Sequence, residues 1–334
     1  ADYLNLPTRF FTNDELESQT PFLKNPSDIV FSAVGCHGVS EGAAIAAVGR
    51  GGSLIVEKTK SEKATIAIAK SSSDIDIHKI GIARGKLNIV GLGPGKVDWR
   101  TSALTDAIKD STHVVGYKLY LGLVEDLLKG KECFFSELSQ EESRARKAIK
   151  LASSGHNVTL VCSGDAGIYA LATLVFELID RENCDDWNRI QIEVHPGISA
   201  FQAAAARVGA PMGHDFCAIS LSNLLTSWKK IEIRIKAAAE GDFVIAFYNP
   251  VSKKRRIQLE KAKKIILKHR SKKTPVIVAK NVGRIGEKIR ISNLEELNSE
   301  MADMLTIVII GNSQSRIVKY GGVTKVYTPR GYMK

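Results

Sequence analysis

A glycine-rich loop at the end of an apolar run is the first feature of the sequence that could do chemistry. The residues LNIVGLGPG occupy positions 87–95, and the apolar run ends at Gly91. Glycine adopts positive φ angles and leaves room for a ligand beside the main chain, whereas Pro94 stiffens the turn. We interpret the segment as a buried strand that feeds a ligand-facing turn, although such turns are also common as purely structural features.

The spacing of these glycines restricts the ligand. In the dinucleotide-binding fingerprint, the third glycine stands three residues after the second. Here that position holds Lys96, and the glycine stands one residue earlier, at Gly95. The sequence therefore does not support an NAD site, and no phosphate-loop lysine pattern follows the glycines.

The cysteines favour neither a disulfide framework nor a zinc site. They are odd in number and far apart, at Cys36, Cys133, Cys162, Cys184 and Cys217. This spread fits a reducing cytoplasm and predicts no bound metal. His37 stands alone in another glycine loop, so we interpret it as structural or solvated rather than catalytic.

The net charge of +11 leaves three interpretations open. Much of the excess lies between Lys229 and Arg290, which is compatible with nucleic-acid binding. The apolar residues of 256–270 form one stripe, however, as in a solvated surface helix, and no aromatic platform accompanies the charge. A polyanionic small substrate attracted by the positive field is the third possibility.

The chain length and hydropathy pattern predict a globular protein of two or three domains. The sequence has 334 residues, of which 44% are hydrophobic, and no apolar run reaches the roughly 18 residues that a membrane helix needs. No secretory signal is visible in the first residues. We expect no membrane partner.

The first 70 residues predict a small α/β unit. We expect a strand at Ile29–Val34, then a helix at Ser40–Val48 that Ser40 caps and that has Glu41 in its first turn. Strands at 53–57 and 65–69 are predicted to form a hairpin. The polar segment 71–84 has no sustained periodicity and is interpreted as a linker.

From Lys86 onward, strands alternate with helices, which predicts a largely parallel sheet. The predicted elements are strands at 87–90, 113–116, 157–162 and 190–194, with helices at 102–109, 119–128, 140–153 and after the polar turn 163–167. Both polar turns follow strands directly, so we expect both at the carboxyl edge of the sheet. After a turn at 195–197, a small-residue helix and strands at 217–221, 243–248, 274–279 and 306–310 predict a second α/β domain.

Six sequence boxes then occur in one order: IVGLGPG (89–95), VVGYKLYL (114–121), SGDAGIYALA (163–172), HPGISAFQAAAARVGAPMGHDFCAISLSN (195–223), DFVIAFYNPVSKKRR (242–256) and TPRGY (328–332). Together they resemble the precorrin-3B / cobalt-factor III C(17)-methyltransferase family of cobalamin biosynthesis, over about three quarters of the chain. Residues 1–70 resemble the second half of the C-terminal domain of CbiG/CobE-type proteins.

The resemblance implies a tetrapyrrole methylase (class III methyltransferase) fold. It implies two α/β domains, 86–195 and 196–334, with S-adenosylmethionine (SAM) in the cleft between them. A truncated domain at 1–70 and a linker at 71–85 precede them in the chain. The family methylates C(17) of the macrocycle with ring contraction, giving precorrin-4 and leaving S-adenosylhomocysteine. A homodimer, a polycarboxylate tetrapyrrole substrate and transient contact with other corrin-pathway enzymes are also implied, but no nucleic acid.

The resemblance also assigns the site residues. Those expected to border SAM are Gly93, Pro94, Gly95, Gly164, Asp165, Ile168, Ser199, Ala200, Tyr248 and Asn249. Asp165 is a candidate partner for the hydroxyls or amine of the cofactor. Ring contraction needs proton movement, for which His214, Asp215 and Tyr248 are candidates, although a turn role for His214 and a capping role for Asp215 stay open. The candidate partners of the substrate carboxylates are Lys253, Lys254, Arg255 and Arg256.

Two positions depart from the pattern of the family. Asn223 and Ser227 stand in a region where the family has an aspartate and a Leu-Thr-Pro-Trp run, and Ala166 stands where related methylases often have proline. The alternatives to precorrin-3B methylation are the same reaction on a cobalt-containing intermediate, a non-catalytic tetrapyrrole carrier, and a nucleic-acid-binding protein.

Overall fold

The computed structural model describes residues 6–137 and 139–332. The chain divides into two compact units. The first comprises Ala1–Leu87, Arg146–Val158 and Ile179–Glu193, and the second comprises Asn88–Ala145, Thr159–Leu178 and Val194–Lys334. The predicted domain boundaries at residues 70, 85 and 195 stay a prediction, since each unit is built from several chain segments.

The N-terminal part of the first unit combines a hairpin with three helices. Its elements are β1 (Arg9–Phe10), α1 (Asn13–Glu17), α2 (Asp28–Val34), α3 (Val39–Val48), β2 (Ser53–Lys60), β3 (Thr65–Lys70) and β4 (Ile82–Ala83). The hairpin prediction is confirmed, because β2 and β3 pair antiparallel. The segment interpreted as a linker contains β4, which pairs with β1, and its role as a linker stays a prediction.

The strand predicted at Ile29–Val34 is also wrong, because local capping favours a helix there. The Ser27 Oγ accepts the N–H of Val30 at 3.4 Å, and Asp28 lies in the first turn of α2. A hydroxyl cap and an early acidic residue both stabilise a helix N-terminus. Residues 29–34 therefore lie on a helix.

Helix α3 begins one residue before the predicted start. Gly38 is its N-cap, and Ser40 lies inside the helix, so the predicted cap is wrong. Glu41 lies in the first turn, as predicted, but it is 1% exposed and accepts the backbone N–H groups of Lys24, Asn25 and Lys58. This buried carboxylate connects three segments of the first unit.

A five-stranded sheet begins at Lys86. The elements of this region are β5 (Lys86–Gly91), α4 (Ser102–Asp110), β6 (His113–Tyr117), α5 (Lys118–Gly122), β7 (Glu132–Ser136), α6 (Glu141–Ser153), β8 (Asn157–Cys162), α7 (Leu171–Glu182), α8 (Asp185–Asn188) and β9 (Gln191–His195). The strand order is β7-β6-β8-β5-β9, and β6 pairs parallel with β7. The long helix predicted at 119–128 is wrong in its second half, which is a 3-10 turn at Glu125–Leu127.

The rest of the chain forms a mixed sheet with helices. Its elements are α9 (Ala200–Val208), β10 (Gly209–Ala210), β11 (Phe216–Ser220), α10 (Trp228–Glu240), β12 (Val244–Tyr248), α11 (Ile257–Ile266), β13 (Pro275–Lys280), β14 (Lys288–Asn293), β15 (Thr306–Ile310), β16 (Arg316–Tyr320) and β17 (Val323–Tyr327). The strand order is β11-β12-β15-β13-β14. Because β15 runs antiparallel to β12 and β13, the ends of those two strands and the start of β15 share one edge.

Buried apolar residues cover both faces of this mixed sheet. Helices α10 and α11 contribute Ile231, Ile235, Leu259 and Ile266 to one cluster, and α9 contributes to another. Among the described residues, no single helix is long and apolar enough to cross a membrane, while α2 and α3, bent by 83°, reach that length and composition only as a pair.

Candidate functional site

Three loops in the second unit meet backbone against backbone. Gly93 and Gly164 exchange two hydrogen bonds, N–H to carbonyl, at 3.0 and 2.9 Å, and the Leu92 N–H donates to the Cys162 carbonyl at 2.8 Å. These contacts join the loop after β5 to the loop after β8. The prediction that both polar turns lie on the same sheet edge is confirmed.

Glycine is required in these loops for two different reasons. A Cβ on Gly91 or Gly197 would lie 2.5 or 2.2 Å from the Gly164 carbonyl oxygen, which is closer than real contacts allow. Gly93 and Gly164 instead have φ angles of 74° and 66°, which side chains disfavour. The third loop, around Gly197, thus packs directly on the first two.

Asp165 connects two of the loops through its carboxylate. Its Oδ1 accepts the Gly167 N–H at 2.8 Å, and its Oδ2 accepts the Gly197 N–H at 3.0 Å. Both oxygens are therefore engaged with backbone donors. The side chain still lines a cavity, but its first role in this structure is to hold the loops together.

Two adjoining cavities, of about 150 and 230 Å³, lie beside the loops. Both are lined by Tyr120, Ser163, Gly164, Ala200, Tyr248 and Met304. The smaller cavity adds Pro94, Asn249, Arg284 and residues around β13 and β15, and the larger adds Glu141, Asp165, Ile168 and Tyr169. Together they reach the roughly 300–1,000 Å³ that is usual for small-ligand sites.

Most of the predicted cofactor residues lie at these cavities. Pro94, Gly164, Asp165, Ile168, Ala200, Tyr248 and Asn249 line them. Gly93 and Gly95 flank Pro94. Ser199 is buried at the start of α9, where its N–H and hydroxyl donate to the Gln202 Oε1 at 3.0 and 2.9 Å.

Tyr248 presents a buried hydroxyl to the site. Its ring packs 5.0 Å from that of Tyr169 and 6.3 Å from that of Phe201. The hydroxyl lies near the Ser199 side chain and the Phe201 backbone, but it forms no well-aligned hydrogen bond with a described residue. Burial raises the pKa of this hydroxyl above its usual value. At neutral pH it is therefore protonated and can donate a hydrogen bond to a ligand.

Three non-glycine residues that line the cavities have left-handed backbones. Tyr169, Asn249 and Asn281 have φ angles of 52°, 50° and 50°. Asparagine tolerates this region, but for a tyrosine it is strained. Tyr169 is held there in part by a hydrogen bond from its hydroxyl to the Ala218 carbonyl at 3.0 Å.

The structure does not bring His214 and Asp215 to the cavities. They precede β11, whereas Tyr248 ends the parallel neighbour β12 and Asn249 follows it, so a whole strand of roughly 16 Å separates the two ends. The His214 Nδ1 accepts the Asp215 N–H at 2.8 Å, and its ring packs edge-on against Tyr332. The proposed proton transfer by His214 and Asp215 therefore has no support here, and the alternative turn role fits.

The predicted basic partners of the substrate also lie outside the cavity walls. Arg255 is buried and donates to the carbonyls of Leu221 and Asn249 at 3.1 and 3.3 Å, so it holds the loop after β12 from behind. Arg256 forms a surface ion pair with Glu300. Lys253 and Lys254 are exposed.

Sequence reasoning missed several residues that line the cavities, above all Arg284, Tyr120 and Glu141. Arg284 follows β13 in a loop with Gly283 and Gly286, both at positive φ. A glycine-rich turn after a buried strand was the signal that identified the other loops, and it is present here too. Across residues 6–137 and 139–332, no cluster of His, Cys, Asp and Glu is arranged to hold a metal ion.

Comparisons with known proteins agree with this architecture. The model of the family "Tetrapyrrole (Corrin/Porphyrin) Methylases" matches residues 86–298, and that of "Cobalamin synthesis G C-terminus" matches residues 1–69. The chain is similar to the crystal structure of the methyltransferase CobJ, with a TM-score of 0.68 and 37% identity over 73% of this chain and 100% of that one. It is similar in fold to a cobalt precorrin-4 methyltransferase, CbiF (TM-score 0.56, 22% identity).

Sequence relatives carry related names. A probable cobalt-factor III C(17)-methyltransferase of Salmonella typhimurium is 42% identical over 74% of this chain and 99% of that protein. A precorrin-3B C(17)-methyltransferase of Sinorhizobium sp is 40% identical over 74% of this chain and 97% of that protein. A cobalt-factor III methyltransferase of Priestia megaterium is 41% identical over 75% of this chain, but the match spans only 46% of that longer protein. The chain therefore belongs to the tetrapyrrole methylase family.

Proposed function

We propose that this chain is a SAM-dependent methyltransferase that methylates precorrin-3B at C(17) with ring contraction in cobalamin biosynthesis. The supporting observation is the cradle of three loops beside two adjoining cavities, in a chain about 40% identical to proteins named for this reaction. The cobalt-containing substrate stays an alternative, because relatives named for each substrate are similar to the same extent.

The residues present fit SAM. The Tyr248 hydroxyl is a buried donor without a well-aligned hydrogen bond, and the loops at Gly93 and Gly164 bring bare main chain to the cavity edge. Pro94, Ile168, Ala200 and Asn249 would complete the binding surface. When bound, SAM supplies a methyl group on a positively charged sulfur for transfer to a nucleophilic carbon.

The chain itself contributes alignment and exclusion of water. The loop contacts fix the cavity walls before any ligand arrives, and such preorganisation favours a reaction that depends mainly on orientation. Tyr248 is suited to donate a hydrogen bond or a proton, because its raised pKa keeps it protonated. Glu141 adds a carboxylate to the larger cavity.

Three further properties complete the proposal. A homodimer and contact with other corrin-pathway enzymes follow from the family resemblance, and a reducing cytoplasm suits the spread of the cysteines. The substrate would be a polycarboxylate tetrapyrrole, which the net charge of +11 would attract.

Calorimetric titration with S-adenosylhomocysteine tests the cofactor site. Ala200 lines both cavities, so Ala200→Leu should fill the site and weaken binding by at least about tenfold through steric overlap. Ala206 lies at an exposed position of the same helix, so Ala206→Leu is the matched control and should leave the affinity unchanged. Mass spectrometry of precorrin-3B and cobalt-factor III incubated with SAM then identifies the substrate.

One result would contradict the proposal outright. If the folded wild-type chain binds no S-adenosylhomocysteine and methylates neither tetrapyrrole, the methyltransferase assignment fails. Equal binding by the Ala200→Leu variant would instead mean that the cofactor lies outside these cavities.

A further inference from the structure

Arg284 is fixed in place at the wall of the smaller cavity. Its Nε donates to the Pro94 carbonyl at 2.8 Å, and its Nη2 donates to the Ser163 Oγ at 2.7 Å. The guanidinium carbon lies 5.7 Å from the centre of the Tyr120 ring. These contacts tie the loop after β13 to both glycine-rich loops of the cofactor cradle.

This cation has no anionic partner in the described part of the chain. No carboxylate lies within ion-pair distance of it, and its Nη1 has no acceptor there. Burial lowers the pKa of the guanidinium from its usual value. By contrast, the half-buried Arg207 pairs with Glu287, and the buried Arg270 pairs with Asp242. The Arg284 side chain is only partly buried, and its Nη1, which has no acceptor, is not among the buried atoms, so this end of the guanidinium is open to a ligand. A partly buried cation without a counterion is less favourable than a paired one, so a role for its charge is expected.

Arg284 is also the one cation among the described residues that line the two cavities. Charged groups of the opposite sign, Glu141 and Asp165, line the larger cavity. Arg255 lacks a carboxylate partner as well, but it lines neither cavity, and its Nη1 donates to the Leu221 and Asn249 carbonyls. The positive charge in the site is therefore concentrated at one guanidinium.

We propose that Arg284 forms an anion subsite that binds a carboxylate of the ligand. The inference rests on the proposed function, which supplies two sources of that group: the amino-acid carboxylate of SAM and a side-chain carboxylate of the macrocycle. A planar guanidinium suits a carboxylate because it presents paired donors. Since Pro94 and Ser163 already hold the side chain, little conformational entropy is lost on binding.

Binding measurements with three probes distinguish the sources. The probes are S-adenosylhomocysteine, methylthioadenosine, which lacks the amino-acid carboxylate, and uroporphyrin, a polycarboxylate tetrapyrrole. Arg284→Gln removes the charge, and Arg290→Gln removes an exposed arginine of the neighbouring strand β14 as the matched control. Arg284→Lys keeps the charge without the paired donors and serves if the glutamine variant does not fold.

If Arg284 binds the cofactor carboxylate, Arg284→Gln should weaken the affinity for S-adenosylhomocysteine by roughly 10- to 100-fold and leave the affinity for methylthioadenosine unchanged. If Arg284 binds a macrocycle carboxylate, the Arg284→Gln variant should bind both nucleosides normally, and its affinity for uroporphyrin should fall by a similar factor. In either case the lysine variant should lose less affinity than the glutamine variant.

Two outcomes would overturn the subsite. If Arg284→Gln lowers the affinity for both nucleosides equally, Arg284 only holds the loops. If the variant binds all three probes as wild type does, Arg284 binds no ligand. A wild-type chain that binds neither nucleoside contradicts the proposed function instead, and the uroporphyrin measurement then still decides whether Arg284 binds a carboxylate.

Discussion

At Gly197, the main chains of three loops leave no space for a side chain. A Cβ there would lie 2.2 Å from the Gly164 carbonyl oxygen and 2.4 Å from that of Gly91. We expect Gly197→Ala to lower the free energy of unfolding by about 1–3 kcal/mol, because the loops must separate. Affinity for S-adenosylhomocysteine should fall with it, as measured by urea unfolding and calorimetry.

Gly122 provides the control for this substitution. It ends α5 with open space around the position of a Cβ, so Gly122→Ala should leave both stability and binding nearly unchanged. If the two alanine variants are equally stable, the close packing of the three loops is not what defines the cradle.

Single residues show why a site is easier to predict than the roles within it. The motif order led to Asp165, and this side chain does line a cavity. Its bond to the Gly197 N–H joins residues 32 positions apart in the chain, and no local pattern shows such a contact. His214 and Asp215 have suitable chemistry, but strand direction places them at the far edge of the sheet. Residue type alone cannot distinguish the two ends of a strand.

The turn between α10 and β12 is stabilised by a buried ion pair. The Asp242 carboxylate lies 2.6 Å from the Arg270 Nη1, whose side chain is 3% exposed, and it also accepts hydrogen bonds from Ser313 and Tyr332. Burial by itself would raise the pKa of Asp242, but the hydrogen bonds from Ser313 and Tyr332 and the charge of Arg270 outweigh it and lower the pKa below its usual 3.8.

This pair predicts an acid-sensitive contribution to stability. Because the folded-state pKa of Asp242 is the lower one, the contribution is complete well above the unfolded-state pKa and is lost as the pH falls through the folded-state pKa. We expect Asp242→Asn to lower the free energy of unfolding by about 3 kcal/mol at neutral pH. The difference from wild type should stay constant above about pH 5 and shrink below about pH 4.

Urea unfolding of wild type and Asp242→Asn across this pH range measures the difference in the free energy of unfolding. Asp98→Asn is the control, because Asp98 is exposed and, among the described residues, pairs with Lys96 alone at the surface, so little change is expected. A difference between wild type and Asp242→Asn that does not vary with pH would show that the lost hydrogen bonds, not the charge, account for the effect.

At the scale of elements, prediction succeeded where a strand is apolar throughout. The strand at 157–162 was predicted with its observed bounds, and β15 likewise, because both are fully or almost fully buried. Strands β7, β14 and β16 were missed, because they are short or half exposed and carry polar residues. At Ile29–Val34 a strand was predicted, yet the Ser27 cap and Asp28 were readable signals for a helix.

At the scale of the whole molecule, the two cavities and the basic stretch of the sequence lie in the second unit. Every residue that lines the two cavities belongs to the second unit. The basic stretch that suggested nucleic-acid binding contributes Arg255 and Arg270 to interior contacts and Arg284 to the site. Net charge alone therefore did not predict which of these arginines lie inside the fold and which lines a cavity.

The first unit depends on Glu41, and this gives a prediction about the molecule as a whole. Glu41→Gln replaces an acceptor of three backbone N–H groups with a side chain that can accept at only one atom, so we expect stability to fall by roughly 2–3 kcal/mol. Hydrogen exchange should accelerate at Lys24, Asn25 and Lys58, whereas affinity for S-adenosylhomocysteine stays unchanged.

Glu62→Gln is the matched control, because Glu62 is exposed in the turn of the hairpin and should change neither exchange nor binding. In wild type, saturating S-adenosylhomocysteine should slow exchange at Gly93, Gly164 and Gly197, since ligand binding to the folded state opposes local opening. If Glu41→Gln abolishes ligand binding while these three amides exchange at the rates of ligand-free wild type, the loops are intact and binding requires the first unit. The methylase segment would then not bind its cofactor independently of the residues that precede it.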